Sequence, residues 1–184
     1  MEIRTTSDII TLLKEDRTRW RALGYVEQLG LSDGCIGAGF VRNLIWDHLH
    51  GRQNDCLKQD LDVLYFDPNK ADEQCDHAIE TELKIAHPEF KWSVKNQARM
   101  HVRNNDKPYT SIEIAMRSWP ETATAIAVQR IGEQCAIIAP YGLGDVLSMT
   151  LRPTSKQPHK LAAFNKRCLE KQWTTRWPKV IVVD

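Results

Sequence analysis

No stretch of this 184-residue sequence approaches the roughly 20 consecutive apolar residues needed to span a bilayer. The first residues, MEIRTTSDIITLLKEDR, are interrupted by charges and lack the apolar run of a secretory leader. These two absences argue against a membrane partner. An excess of charge of either sign is also missing. Lys and Arg number 25 against 24 Asp and Glu, for a formal net charge of +1. The chain as a whole therefore exerts no general pull on a polyanion, and a nucleic acid would have to be held by a local patch. Cysteine is sparse and odd in number: Cys35, Cys56, Cys75, Cys135 and Cys168 form no CxxC or Cys/His zinc spacing. Free thiols in a reducing cytoplasm are the expectation. Internal repeats and low-complexity tracts are absent too. What remains is an average globular composition, 42% hydrophobic and 27% charged, of a length suited to one domain over residues 1–184.

Periodicity divides the chain into alternating helices and strands. Ser7 is an expected N-cap, with Ile9, Ile10, Leu12 and Leu13 behind it, and a second helix runs over 17–28 to Gly30. Cys35-Ile36 reads as a short strand. Phe40, Leu44, Ile45 and Leu49 repeat at helical spacing over 40–50, and Gly51 stops that helix. A strand over 60–66 and a helix over 71–86 follow. Residues 90–103 alternate, with Trp92, Val94, Ala98, Met100 and Val102 on one face and Lys95, Gln97, Arg99, His101 and Arg103 on the other, which reads as one long strand. A short helix over 111–118, a hairpin turning at 130–133, a helix over 160–172 and a terminal strand over 180–183 complete the pattern. Such alternation predicts an α/β (α+β) fold with a mixed sheet flanked by helices.

The chemistry concentrates between Asp33 and Asp67, in DGCIGAGFVRNLIWDHLHGRQNDCLKQDLDVLYFD. Residues i and i+2 of a strand share a face, so Asp60 and Asp62 would stand side by side. Two adjacent carboxylates repel, and a shared divalent cation relieves the repulsion. Mg²⁺ commonly binds through one or two carboxylates plus substrate phosphates. Gly37, Ala38 and Gly39 precede a helix, whose free N–H groups and dipole favour a phosphate at that end. Arg42 lies in the first turn, where a cation is disfavoured unless an anion sits beside it. The plain alternatives are an edge strand carrying two protective carboxylates, a tight turn needing glycine and a surface ion pair for Arg42. His48 and His50 are two apart on a helix and point in different directions, which argues against a shared metal.

This pattern resembles the polymerase-β-type nucleotidyltransferase superfamily, whose signature is a hydrophobic residue, Gly-Gly or Gly-Ser, a helix, and a strand with two Asp separated by a hydrophobic residue. Ile36-Gly37-Ala38-Gly39 and Asp60-Leu61-Asp62-Val63 stand for its two parts. More narrowly, CIGAGFVRN, WDHLHG, DLDVLYFD, WSVKNQARMH, WPETATAIAV and APYGLGD resemble a family of small single-domain bacterial nucleotidyltransferase-like proteins. The resemblance implies the single-domain polymerase-β-type core and Asp60 and Asp62 as catalytic, metal-holding residues. It also implies Mg²⁺ or Mn²⁺ as the ion, an NTP (ATP first among them) as substrate and an unidentified acceptor.

The sequence departs from the superfamily at two places. Ala38-Gly39 stands for Gly-Ser, and the run WSVKNQARMH lacks the third carboxylate that the strand beside the acidic pair commonly supplies. Glu82, Glu113, Glu121 and Asp145 are the candidates to replace it, Glu121 and Asp145 foremost because each sits at a turn beside a strand. In its place Lys95 and Arg99 would face the acidic pair and suit a triphosphate or an anionic acceptor. The tail, with Lys166, Arg167, Lys171, Trp173, Arg176 and Trp177, mixes basic and aromatic residues as nucleic-acid binders do. It also reads as an amphipathic helix closing the core, and the structural reading is preferred. Two functions follow: a metal-dependent nucleotidyltransferase, or a catalytically degenerate nucleotide-binding or interaction module, an antitoxin-like partner protein included. Whether the chain turns over at all is left open.

Overall fold

Thr5, not Ser7, caps the first helix, because its hydroxyl and the Asp8 carboxylate close a reciprocal pair: Asp8 N–H donates to Thr5 Oγ1 at 3.2 Å and Thr5 N–H donates to Asp8 Oδ2 at 2.8 Å. The computed structural model describes residues 2–53 and 55–183. In chain order the elements are α1 (Thr6–Glu15), α2 (Arg17–Gln28), β1 (Cys35–Gly37), α3 (Gly39–Leu49), β2 (Asp60–Tyr65), α4 (Glu73–Ala86) and β3 (Lys91–Asn96). After these come α5 (Met100–Asn104), α6 (Ile112–Met116), β4 (Ala127–Ile131), β5 (Gln134–Ile138), α7 (Gly144–Leu147), β6 (Thr150–Leu151), α8 (Pro158–Lys171), α9 (Trp173–Arg176) and β7 (Ile181–Val182).

Five strands form one mixed sheet in the order β3-β2-β1-β4-β5. The strands pair antiparallel except β2 and β3, which run parallel because α4 carries the chain back across the sheet. On one face Ile36, Leu61, Val63, Tyr65, Trp92, Val94 and Val128 pack into the main core with Ile9, Leu13, Leu23, Phe40 and Ile45 from the helices. The other face is covered in part by a smaller cluster, in which Cys35, Leu64 and Ala127 meet Ile112 and Met116 of α6. Strand alternation puts Asp60 and Asp62 on the same face as Leu64, past the edge of this cover, so the acidic pair opens to a cleft.

The expected long strand over 90–103 ends at Asn96. Its side chain accepts from Ala98 N–H at 3.0 Å, and its Nδ2 donates to the carbonyls of Asp67 at 2.8 Å and Lys70 at 2.9 Å. The resulting turn breaks the ladder, and residues 97–104 coil into a short turn and α5. The tail docks far back along the chain: Trp177 Nε1 donates to Asp47 Oδ1 at 2.6 Å, and its ring meets Trp46 edge-on at 5.2 Å. Among the described residues, no helix is long and apolar enough to cross a membrane.

Candidate active site

The turn from β1 into α3 is tighter than glycine placement suggests. Gly37 belongs to the strand, paired with Asp62 on one side and Ala127 on the other. A Cβ there would lie 2.9 Å from Leu64 Cδ1, 3.2 Å from Trp119 Cη2 and 3.3 Å from Ala127 Cβ. Close packing accounts for the glycine at position 37, which lies in the strand, whereas Ala38 and Gly39 line the cavity that follows. The turn residue is Ala38, at φ 55° and ψ −124°, a region where side chains are strained. Its N–H donates to Ile126 O at 2.8 Å, which holds the turn. The N-cap Ala38 has no side-chain group to cap α3, and the start of this helix at Ala38 and Gly39 lines a cavity of about 510 Å³.

Asp60 and Asp62 line that cavity with Gly39, Arg42, Gln59 and Lys91. Asp60 is exposed and Asp62 half-buried. Burial, and then the charge of Asp60, push the Asp62 carboxyl up to about 6, against the pull of Arg42, Arg167 and Lys171. Two carboxylates with no third fit a hard cation that takes its other oxygens from water and a polyphosphate. They do not suit an ion held by the protein alone, and among the described residues no group of three or more His, Cys, Asp or Glu could hold one.

Arg42 is buried rather than surface-paired. Its Nε and Nη2 donate to Asn43 Oδ1 at 3.2 and 2.9 Å, and Nη1 donates to Thr124 Oγ1. The guanidinium lies 5.1 Å from the ring of Trp46 and 5.0 Å from that of Trp173. Burial lowers its pKa to about 10, which leaves it fully charged at neutral pH. It is a buried cation hydrogen-bonded to neutral oxygens, and an anion in the cavity would complete it. Asn43 passes the chain on to Gln59 Oε1, and Gln59 Nε2 is buried without a partner among the described residues. That orphaned donor suits a ligand oxygen.

Of the two cations expected to face the acidic pair, only Lys95 reaches the cleft, where it lines a second cavity with Asp62 and Arg103. Arg99 does not. Because the strand has ended at Asn96, Arg99 turns to Asp76, with Nε at 3.1 Å from Oδ2, and to Glu73 at 3.4 Å. This corrects its expected place facing the acidic pair. Lys91, opposite Asp60 in register, and Ser93, opposite Asp62, occupy the neighbouring strand instead. No acid stands there.

The tail supplies what sequence reasoning passed over. Arg167, Lys171, Trp173, Arg176 and Trp177 all line the cavity of the acidic pair, because α8 and α9 fold back across its mouth. Their basic-aromatic interleaving was the signal. Glu121, an expected stand-in for the missing carboxylate, is fully buried against Arg167. Asp145, the other, accepts from Thr122 Oγ1 at 2.6 Å and from Arg152 Nε at 3.1 Å. Neither lines the cavity.

A family model described as nucleotidyltransferase matches residues 24–182. A solved structure described as revealing a CCA-adding enzyme head domain superposes with a TM-score of 0.88 at 29% identity, covering 99% of this chain and 97% of that one. A CCA-adding enzyme in complex with CTP superposes at 0.61 with 13% identity, covering 100% of this chain and 44% of that one. An apo tRNA-processing enzyme does so at 0.55 with 17% identity, covering 100% and 46%. This chain thus spans under half the length of these last two proteins, which share its fold. No curated protein sequence matches it.

Proposed function

This chain belongs to the nucleotidyltransferase family, and from that premise we propose that it moves a nucleoside monophosphate from an NTP to an acceptor, aided by Mg²⁺ or Mn²⁺. One observation carries the reading: Asp60 and Asp62 share a cavity with the uncapped start of α3, the buried Arg42 and a rim formed by Lys91, Arg167 and Lys171. The amides of α3 and Arg42 bind phosphate oxygens, replacing their hydration with fixed donors. The lysines on the rim hold the outer phosphates. Asp60 and Asp62 would hold the divalent cation, which neutralises charge on the phosphates when bound. Arg167, fixed by Glu121, keeps a positive charge beside Asp62. The free thiols of all five cysteines suit a reducing cytoplasm.

The test is direct. The pure protein is incubated with labelled ATP and the other NTPs, Mg²⁺ or Mn²⁺, and candidate acceptors. Calorimetry should show NTP binding strengthened by the metal, and Asp60→Asn with Asp62→Asn should abolish that gain. Equal NTP affinity with and without metal sinks the metal site.

A second reading is a nucleotide-binding or interaction module without turnover. It is favoured by the neighbouring strand, which sets Lys91 and Ser93 opposite the acidic pair where an acid would be expected. Metal-dependent binding with no transfer to any acceptor would select it.

A further inference from the structure

Asp62 lines two cavities, not one. The second, of about 490 Å³, shares Ala38, Asp62, Thr124 and Arg167 with the first and opens on the other side of them. Its chemistry differs. Met100, Trp119 and Pro120 give it an apolar wall, and Lys95, Arg103 and His159 face the same space. Among the described residues, neither Lys95 nor Arg103 forms an ion pair with a carboxylate. By contrast Lys160, on the same wall, is held by both oxygens of Asp106 at 2.7 and 2.9 Å.

We propose that this second cavity binds the acceptor, and that the acceptor is a small phosphorylated molecule of mononucleotide size bearing a hydroxyl. The proposal rests on the reading of the first cavity as the triphosphate site. Charge supports it: Arg103, and Lys95, which feels Glu80 but forms no close ion pair with it, match the roughly −1.5 to −2 charge of one phosphate monoester. Size supports it as well, since about 490 Å³ lies within the range of small-molecule sites. The indole of Trp119 and its apolar neighbours suit a planar, poorly hydrated group such as a base. A strand of nucleic acid would want a longer basic track, and a net charge of +1 offers it no general attraction.

The shared wall is where the two ligands would meet. The acceptor hydroxyl oxygen bonds to the α-phosphorus of the NTP, the bond from that phosphorus to the α,β-bridging oxygen breaks, and pyrophosphate leaves. The hydroxyl proton passes to solvent. The product is a nucleotidylated phosphomonoester, with no oxidation or reduction.

The experiment is calorimetric titration of AMP, CMP, GMP and UMP into the full chain saturated with Mg²⁺ and α,β-methylene-ATP, which cannot transfer. One monophosphate should bind beside the analogue at one equivalent. Arg103→Glu should weaken it at least tenfold and shift the affinity for the analogue less than twofold. Displacement of the analogue by the monophosphate, binding indifferent to Arg103→Glu, or no monophosphate bound at all overturns the proposal. So does capture of a single-stranded RNA 12-mer where monophosphates fail, which points to a strand end. If the analogue itself does not bind, the triphosphate reading fails. Binding of a monophosphate that is lost in Arg103→Glu then still supports the second cavity as a site for a small phosphorylated ligand.

Discussion

Arg167 Nε donates to Glu121 Oε1 at 2.6 Å and its Nη2 approaches Oε2 at 3.3 Å, so that a fully buried carboxylate fixes a guanidinium at the junction of two cavities. Removing one partner of such a pair leaves an uncompensated buried charge, which costs about 3–5 kcal/mol. Arg167→Ala is therefore expected to lose that much stability in urea denaturation. The double variant Glu121→Gln with Arg167→Met, which leaves no buried charge, should recover most of it. Equal stability of the single and double variants would remove the pair from the account of the fold.

The β1–α3 turn makes two opposite demands on neighbouring residues. Gly37 has no room for a Cβ, and overpacking of this kind typically costs about 1–3 kcal/mol. Gly37→Ala should lower the unfolding free energy by that amount. Ala38 stands at φ 55° and ψ −124°, where glycine carries no strain, so Ala38→Gly should raise stability by about 1 kcal/mol. Thermal denaturation of the two single variants checks both signs.

Asp62 makes stability depend on pH. Its carboxyl titrates near 6 in the folded chain against 3.8 ordinarily, because of burial and then the charge of Asp60, with Arg42, Arg167 and Lys171 opposing. A raised folded pKa means that the folded chain binds the proton more tightly. The contribution of Asp62 is fully present below about pH 4 and is lost as pH rises through 6. Asp62→Asn removes this dependence. Without divalent cations, the variant should match the natural protein at pH 4 and exceed it at pH 7.5, by at most about 3 kcal/mol. Urea titrations at the two pH values read the difference, and a natural protein more stable than the variant at pH 7.5 contradicts it.

Local pattern made much of the scaffold legible. The bounds 17–28 of α2 are as its apolar spacing and Gly30 predict, and Gly30, Gly51 and Gly132 sit at φ 61°, 63° and 60° where chain reversals need them. The alternation of residues 60–65 places the acidic pair on one face because a strand leaves no other choice. The same two-residue period misreads 97–103, since it cannot register the Asn96 side chain taking over the hydrogen bonds of the next turn. The tail was harder still. Its apolar face is evident from spacing, but which surface its basic face meets depends on Trp177 finding Asp47, 130 residues away. For Arg42 likewise, spacing leaves a surface ion pair open as the alternative to a phosphate ligand, and its burial depends on Trp46 and Trp173 closing over it.

Arg99 separates a structural cation from a functional one. The alternation of residues 90–103 places it facing Asp60 and Asp62, whereas the folded chain sets its guanidinium against Asp76, which is fully buried and also accepts from Tyr65 Oη at 2.8 Å and Asn96 N–H at 3.0 Å. Those bonds tie α4 to the ends of β2 and β3. Loss of Arg99 leaves Asp76 with neutral donors alone, and breaking a buried pair costs about 3–5 kcal/mol. Arg99→Ala should therefore lower the urea midpoint markedly while leaving NTP affinity, measured on the folded fraction at low temperature, within about twofold. Lys91→Ala should do the reverse, since Lys91 is exposed, makes no ion pair among the described residues and lines the cavity of the acidic pair. A large loss of NTP affinity in Arg99→Ala with unchanged stability would return Arg99 to the site and count against the strand end at Asn96.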